Sequence, residues 1–88
     1  MIKKYSIEIK HSAEKEIKKL DKQDLKRILQ KLDELAFNPR GHDSIKLSNE
    51  SKYRVRVGKY RILYKIFDQT LIIVVVKIAH RKDVYKRT

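Results

Sequence analysis

The order of apolar and polar positions divides the chain into two halves with different periods. Tyr5, Ile7 and Ile9 alternate with Lys4, Ser6, Glu8 and Lys10, the period of two expected of a strand with one buried face. Ser12 then stands where a helix cap is expected, with Glu14 and Glu16 near the positive end of that helix. Ala13, Ile17 and Leu20 recur at helical spacing, and the phase breaks around Asp21. A second stripe of Leu25, Ile28, Leu29, Leu32, Leu35 and Ala36 predicts a longer helix. Asn38-Pro39-Arg40-Gly41 ends it, as Pro and Gly do. The first half therefore reads as a strand and a helical hairpin, with lysines on the outer helix faces.

After Gly41 the period returns to two. Ile45 and Leu47 suggest a short extended piece. Tyr53, Val55 and Val57 alternate with Arg54 and Arg56, and Tyr60, Ile62, Tyr64 and Ile66 alternate with Arg61, Leu63, Lys65 and Phe67. Leu71 to Ala79 is almost wholly apolar and β-branched, the pattern of a strand buried on both faces. Gly58-Lys59 and Asp68-Gln69 are the expected turns of a three-stranded meander, and Gly58 suits the positive φ at the first position of a type II′ turn. The chain is expected to be one domain over residues 1–88, in the order β-α-α-β-β-β. The expected class is α+β, a small antiparallel sheet with two N-terminal helices packed on it.

A two-residue turn at Gly58-Lys59 sets a register. Val57 faces Tyr60, Arg56 faces Arg61, and Arg54 faces Leu63. Residues opposite each other across a hairpin point to one side of the sheet, so Arg54, Arg56 and Arg61 share a face. Like charges placed directly opposite are destabilising. A bound phosphate would resolve the repulsion through forked, charge-assisted hydrogen bonds; an acid such as Glu8 or Asp83 would do so structurally. A two-residue turn at Asp68-Gln69 would place Tyr60 opposite Lys77 and Arg61 opposite Val76. The segment His80-Arg81-Lys82-Asp83-Val84-Tyr85 would then begin beside the Gly58 turn and bring groups able to move protons close to the arginines.

Charge strengthens this picture. Of the 88 residues, 23 are Lys or Arg and 11 are Asp or Glu, a formal net charge of +12. Residues 1–43 hold eleven basic and eight acidic side chains, net +3, whereas residues 44–88 hold twelve and three, net +9. Five of the seven arginines lie in the second part, and the arginine fork suits phosphate. The length excludes a two-domain enzyme with its own cofactor fold. With no cysteine and no spaced His or carboxylate cluster, neither a disulfide nor a metal site is expected. The apolar run Leu71–Val76 is far shorter than the roughly 20 residues that span a bilayer. Residues 1–4 do not open a secretory signal, so a cytoplasmic protein with a polyanionic partner and no membrane association is expected.

The stretch Tyr53-Arg54-Val55-Arg56-Val57-Gly58-Lys59-Tyr60-Arg61-Ile62-Leu63-Tyr64, followed by His80-Arg81-Lys82-Asp83-Val84-Tyr85, resembles the RelE family of type II toxin–antitoxin toxins, within the RelE/ParE superfamily. Ser12 to Leu20 is similar to the family's first helix, and Asn38-Pro39 to the end of its second. The resemblance implies a RelE-like fold akin to small microbial ribonucleases. It implies an endoribonuclease that cuts mRNA in the ribosomal A site and inhibits translation, without cofactor or metal. The implied partners are a cognate antitoxin, the ribosome with its mRNA and rRNA, and operator DNA through the antitoxin complex alone.

Carried over by position, Arg54 and Arg56 match two basic strand positions that are lysines in the best-known member. Arg61 matches a phosphate-binding arginine, Arg81 a catalytic arginine, and Tyr85 a tyrosine near the scissile nucleotide. His80 stands beside them, as histidine does in some relatives. The resulting expectation is a catalytic set of Arg56, Arg61, Arg81, Tyr85 and His80. Arg54 would contact RNA; Lys52 and Lys46, to which no family role is carried over, would add contacts to mRNA or ribosomal RNA. An arginine holds its proton far more firmly than a lysine, so Arg54 and Arg56 are poor general bases, and Tyr85 or His80 would have to move protons. Two alternatives stand beside this reading. One is a ParE-like inhibitor of DNA gyrase; the other is a non-catalytic module that binds nucleic acid or protein.

Overall fold

A computed structural model describes residues 4–47 and 52–80. In chain order the elements are β1 (Ser6–Ile9), α1 (His11–Lys18), α2 (Lys22–Phe37), β2 (Ser44–Lys46), β3 (Lys52–Val57), β4 (Tyr60–Phe67) and β5 (Ile72–His80). The strands form one sheet in the order β1-β5-β4-β3-β2. Strands β2 to β5 are antiparallel neighbours, while β1 runs parallel to β5. The α+β class and the packing of two helices on a sheet are as the sequence indicates. The parallel pair is the addition: the helices carry the chain from β1 at one edge to β2 at the other, and the meander back across the sheet sets β5 beside β1.

Both helices cover one face. Ala13 of α1 and Ile28, Leu32 and Leu35 of α2 pack on Val55, Ile62, Tyr64, Ile66, Ile73, Val75 and Ile78. Asp21 caps α2, its carboxylate accepting from the Asp24 amide at 2.8 Å. Ser12 does not cap α1. The cap position is Lys10, without a side-chain bond, because pairing with β5 runs up to it: the Lys10 amide donates to the Val75 carbonyl at 2.9 Å. The helix therefore starts directly from the strand, and Ser12 falls inside its first turn.

β5 is an interior strand, as its composition suggests, but its two faces differ. Ile73, Val75 and Ile78 are buried under the helices, whereas Ile72, Val74 and Val76 are half-buried. The face away from the helices carries no covering element among the described residues.

The end of the sheet remote from Gly58 is tied by side chains. Arg40 forks onto Asp68 through Nη1 and Nη2, at 3.0 and 2.7 Å, and its Nε donates to the Tyr53 hydroxyl at 3.0 Å. The Tyr5 hydroxyl donates to the same carboxylate at 2.7 Å. Deeper in, the Tyr64 hydroxyl donates to the Pro39 carbonyl at 2.7 Å and lies 2.7 Å from Ser44 Oγ. Burial, the largest influence, pushes the Tyr64 phenol above its ordinary range. Tyr64→Phe is expected to cost about 1–3 kcal/mol, since it leaves the buried Pro39 carbonyl with only the longer bond from Ser44 Oγ at 3.5 Å. Urea denaturation of the two proteins measures it.

Candidate phosphate-binding site on the open sheet face

The β3–β4 hairpin places the arginines. Gly58 has φ +57°, and no residue beside it has positive φ, which matches a two-residue turn of type II′. Val57 then pairs with Tyr60, Arg56 with Arg61, and Arg54 with Leu63. The register expected from the turn is the register observed. Tyr60 and Ile62 point to the helices, so Arg54, Arg56 and Arg61 share the open face. Arg56 and Arg61 are direct neighbours, with Cβ atoms about 4.5–5.5 Å apart. Arg56 is exposed, while Arg61 is 8% exposed, a guanidinium set into the surface. A concavity of about 70 Å³ is lined by Arg56, Gly58, Lys59, Tyr60 and Arg61.

Glu8 does share the open face, as one of the two sequence alternatives requires. It sits, however, opposite Val74, which in turn faces Lys65. That is four residues from Arg61 along the strands, about 13 Å, and two strands across, about 10 Å. Glu8 is not a neighbour of the arginine pair. Asp83, the other acid named for that role, lies outside the described residues.

The β4–β5 register differs from the expected one by three places. Tyr60 faces His80 rather than Lys77, and Arg61 faces Ala79 rather than Val76. Two of the three places come from the loop, which spans 68–71 and not two residues, and closes on Leu71 at φ +56°. The third comes from a bulge between Leu63 and Tyr64, where the partner steps from Lys77 to Val75. β5 still ends beside the Gly58 turn, and does so more closely than a two-residue loop would allow.

The same register puts His80 on the helix side of the sheet, with Tyr60. Their rings meet edge to face, with centroids 5.1 Å apart at 81°. Burial and the nearby Asp24, Asp21 and Glu16 carboxylates push the Tyr60 phenol above its ordinary value, so it stays protonated. The sheet therefore lies between the His80 ring and the arginine face. Lys46 also falls on the helix side, paired with Tyr53, whereas Lys52 shares the arginine face four residues from Arg56. Arg81 and Tyr85 lie outside the described residues.

Sequence reasoning passed over three cations that the fold brings in. Arg27 of α2 has Nη1 3.5 Å from where a Cβ on Gly58 would sit. A helix residue that meets a distant turn leaves no local signal. Lys65 and Lys77 join the open face, Lys65 opposite Lys52 and Lys77 opposite Leu63. The alternation on β4 could have identified Lys65. Lys77 could not be placed, because its facing depends on the bulge.

Comparison with known proteins agrees with this fold. A sequence model described as the ParE toxin of type II toxin–antitoxin systems, parDE, matches residues 7–85. A Methanocaldococcus jannaschii chain designated a RelE toxin is 30% identical over 87 residues, covering 94% of this chain and 97% of its own length. A chain of the archaeal RelE–RelB complex of Pyrococcus horikoshii superposes with a TM-score of 0.81 at 28% identity, over 89% of this chain and 96% of that one. The toxin–antitoxin complex RelBE2 of Mycobacterium tuberculosis contains a chain with a TM-score of 0.78 at 25% identity, over 89% and 99%.

Proposed function

The chain belongs to the RelE/ParE family of type II toxin–antitoxin toxins, and from that premise we propose that it is a ribosome-dependent endoribonuclease that cuts mRNA in the A site. The observation that carries the reading is the registered pair Arg56–Arg61 on an open sheet face. The reaction would be metal-free transesterification. The ribose 2′-oxygen bonds to the adjacent phosphorus, and the bond from phosphorus to the 5′-oxygen breaks. The 2′-proton passes to a base and the leaving oxygen takes up a proton, which gives a 2′,3′-cyclic phosphate and a 5′-hydroxyl.

Two guanidinium forks at the spacing of Arg56 and Arg61 suit the non-bridging oxygens, whose charge grows in the transition state. Arg81 would complete the clamp, and Tyr85 would move a proton. For that, Tyr85 needs a cationic field that holds it below its ordinary value near 10. The facing of His80 favours Tyr85 over it as the proton carrier. His80 instead braces Tyr60 and the end of β5 from which Arg81 follows. Tyr60, held protonated, can donate a hydrogen bond but is no base. A cognate antitoxin is the expected inhibitor. The RelE–RelB complexes among the similar structures support that partner.

Purified ribosomes carrying a short mRNA test the reading. The expected result is cleavage in the A site with a 2′,3′-cyclic phosphate end. The family model's ParE description gives the second reading, gyrase inhibition, its footing. Intact mRNA together with blocked supercoiling by gyrase would establish that reading and remove the first.

A further inference from the structure

The open face carries its cations in rows. Arg56 faces Arg61 beside the Gly58 turn; two residues along, Arg54 and Lys77 stand on either side of Leu63; two further, Lys52 faces Lys65. Successive rows are therefore separated by two residues of strand, about 6.7 Å. That step is comparable with the phosphate repeat of an extended single strand. A duplex winds its phosphates around an axis and cannot follow so straight a line. Glu8 is the one acidic residue that the described strands place on this face. Phe67 follows Lys65 by one more row on β4 and is 45% exposed, a flat ring at the end of the series.

We propose that this face is a track for three successive phosphates of a single-stranded RNA. Lys65 and Lys77 are phosphate contacts of that track, and Phe67 is the platform on which the base beyond the third row stacks. The proposal rests on RNA being the substrate and adds its path: away from the Gly58 turn, along β3 and β4, toward the Asp68 loop. The period of two along each strand turns a sequence alternation into a ruler, and the register of three strands makes each row two cations wide.

The test is fluorescence anisotropy with labelled 2′-O-methyl oligouridylates, which cannot be cut, at several salt concentrations. Affinity is expected to rise with length up to about four or five nucleotides and then level off. Each single-strand phosphate contact contributes about −0.7 to the slope of log affinity against log salt. Lys65→Gln and Lys77→Gln are each expected to make the slope shallower by about that amount, while Lys15→Gln on the outer face of α1 leaves it unchanged. Phe67→Ala is expected to weaken binding about tenfold at constant slope. Circular dichroism establishes that each variant is folded.

Unchanged slopes for Lys65→Gln and Lys77→Gln overturn the track. So does equal binding of a blunt RNA duplex with the same losses. Variants that keep RNA affinity but lose affinity for an acidic antitoxin segment assign the face to protein, and also overturn it. Ribosomal cleavage is measured on the same proteins. A wild type that cuts mRNA while the slopes do not change removes the track alone; a wild type with the expected slopes that cuts nothing removes the ribonuclease reading alone.

Discussion

Arg61→Ala is expected to lower ribosome-dependent cleavage at least about 100-fold, the usual cost of removing one fixed donor to a developing oxyanion. The physical basis is the pairing of Arg61 with Arg56 on a face that lies clear of the helices. Arg61 is also set into the surface at 8% exposure, which limits the reorganisation its side chain needs when charge develops. Arg61→Lys is expected to recover only part of the loss, because a point charge cannot hold two oxygens at once. Single-turnover cleavage at saturating toxin measures the effect. Activity within threefold of wild type in a folded Arg61→Ala protein would remove Arg61 from the site. To separate chemistry from folding, the variant's urea midpoint is compared with that of wild type. A catalytic role leaves the midpoint close to wild type while cleavage is lost.

Ile28→Ala is expected to destabilise the fold by about 2–5 kcal/mol. Ile28 is 0% exposed and stands between α2 and the sheet, within the cluster that includes Ile62 and Tyr64. Truncation removes three carbons from a site whose walls are a helix and a sheet, neither of which can collapse into the gap. A domain of this length has a total stability of about 4–13 kcal/mol, so the variant would lose a large part of it. The melting temperature should fall by about 10 °C or more. A fall of less than about 3 °C by calorimetry would mean that α2 does not depend on this contact to stay on the sheet.

The two variants affect different parts of the molecule, and that separation was readable in the pattern of residues. Ile28 belongs to a stripe at helical spacing, most of which is buried on the sheet, while Leu29 at its edge stays 49% exposed. Arg56 and Arg61 belong to alternating strands joined by Gly58-Lys59. Ser12 has the chemistry of a cap, yet the strand before it runs straight into the helix. The expected two-residue β4–β5 turn and the family resemblance both predict His80 close to the arginines, whereas the observed register sets its ring on the other face, against Tyr60.

The sequence by itself determined what depends on neighbours along the chain: the helical hairpin, the alternating strands, and the face shared by Arg54, Arg56 and Arg61. The physical reason is that a period of two and a two-residue turn leave a single register for the β3–β4 hairpin. Only the tertiary structure decided the facing of His80 and Lys77, the approach of Arg27 to Gly58, and the parallel pairing of β1 with β5. Each depends on contacts between segments far apart in the chain. The β4–β5 register turned on Leu71 at φ +56°, a conformation that a leucine does not announce because its Cβ disfavours it. It also turned on a bulge beside Val74-Val75-Val76, where every residue is apolar and no alternation marks the slipped place. The hairpin could thus be read from its own residues, while the cationic rows that cross from it to β5 could be seen only once the strands were side by side.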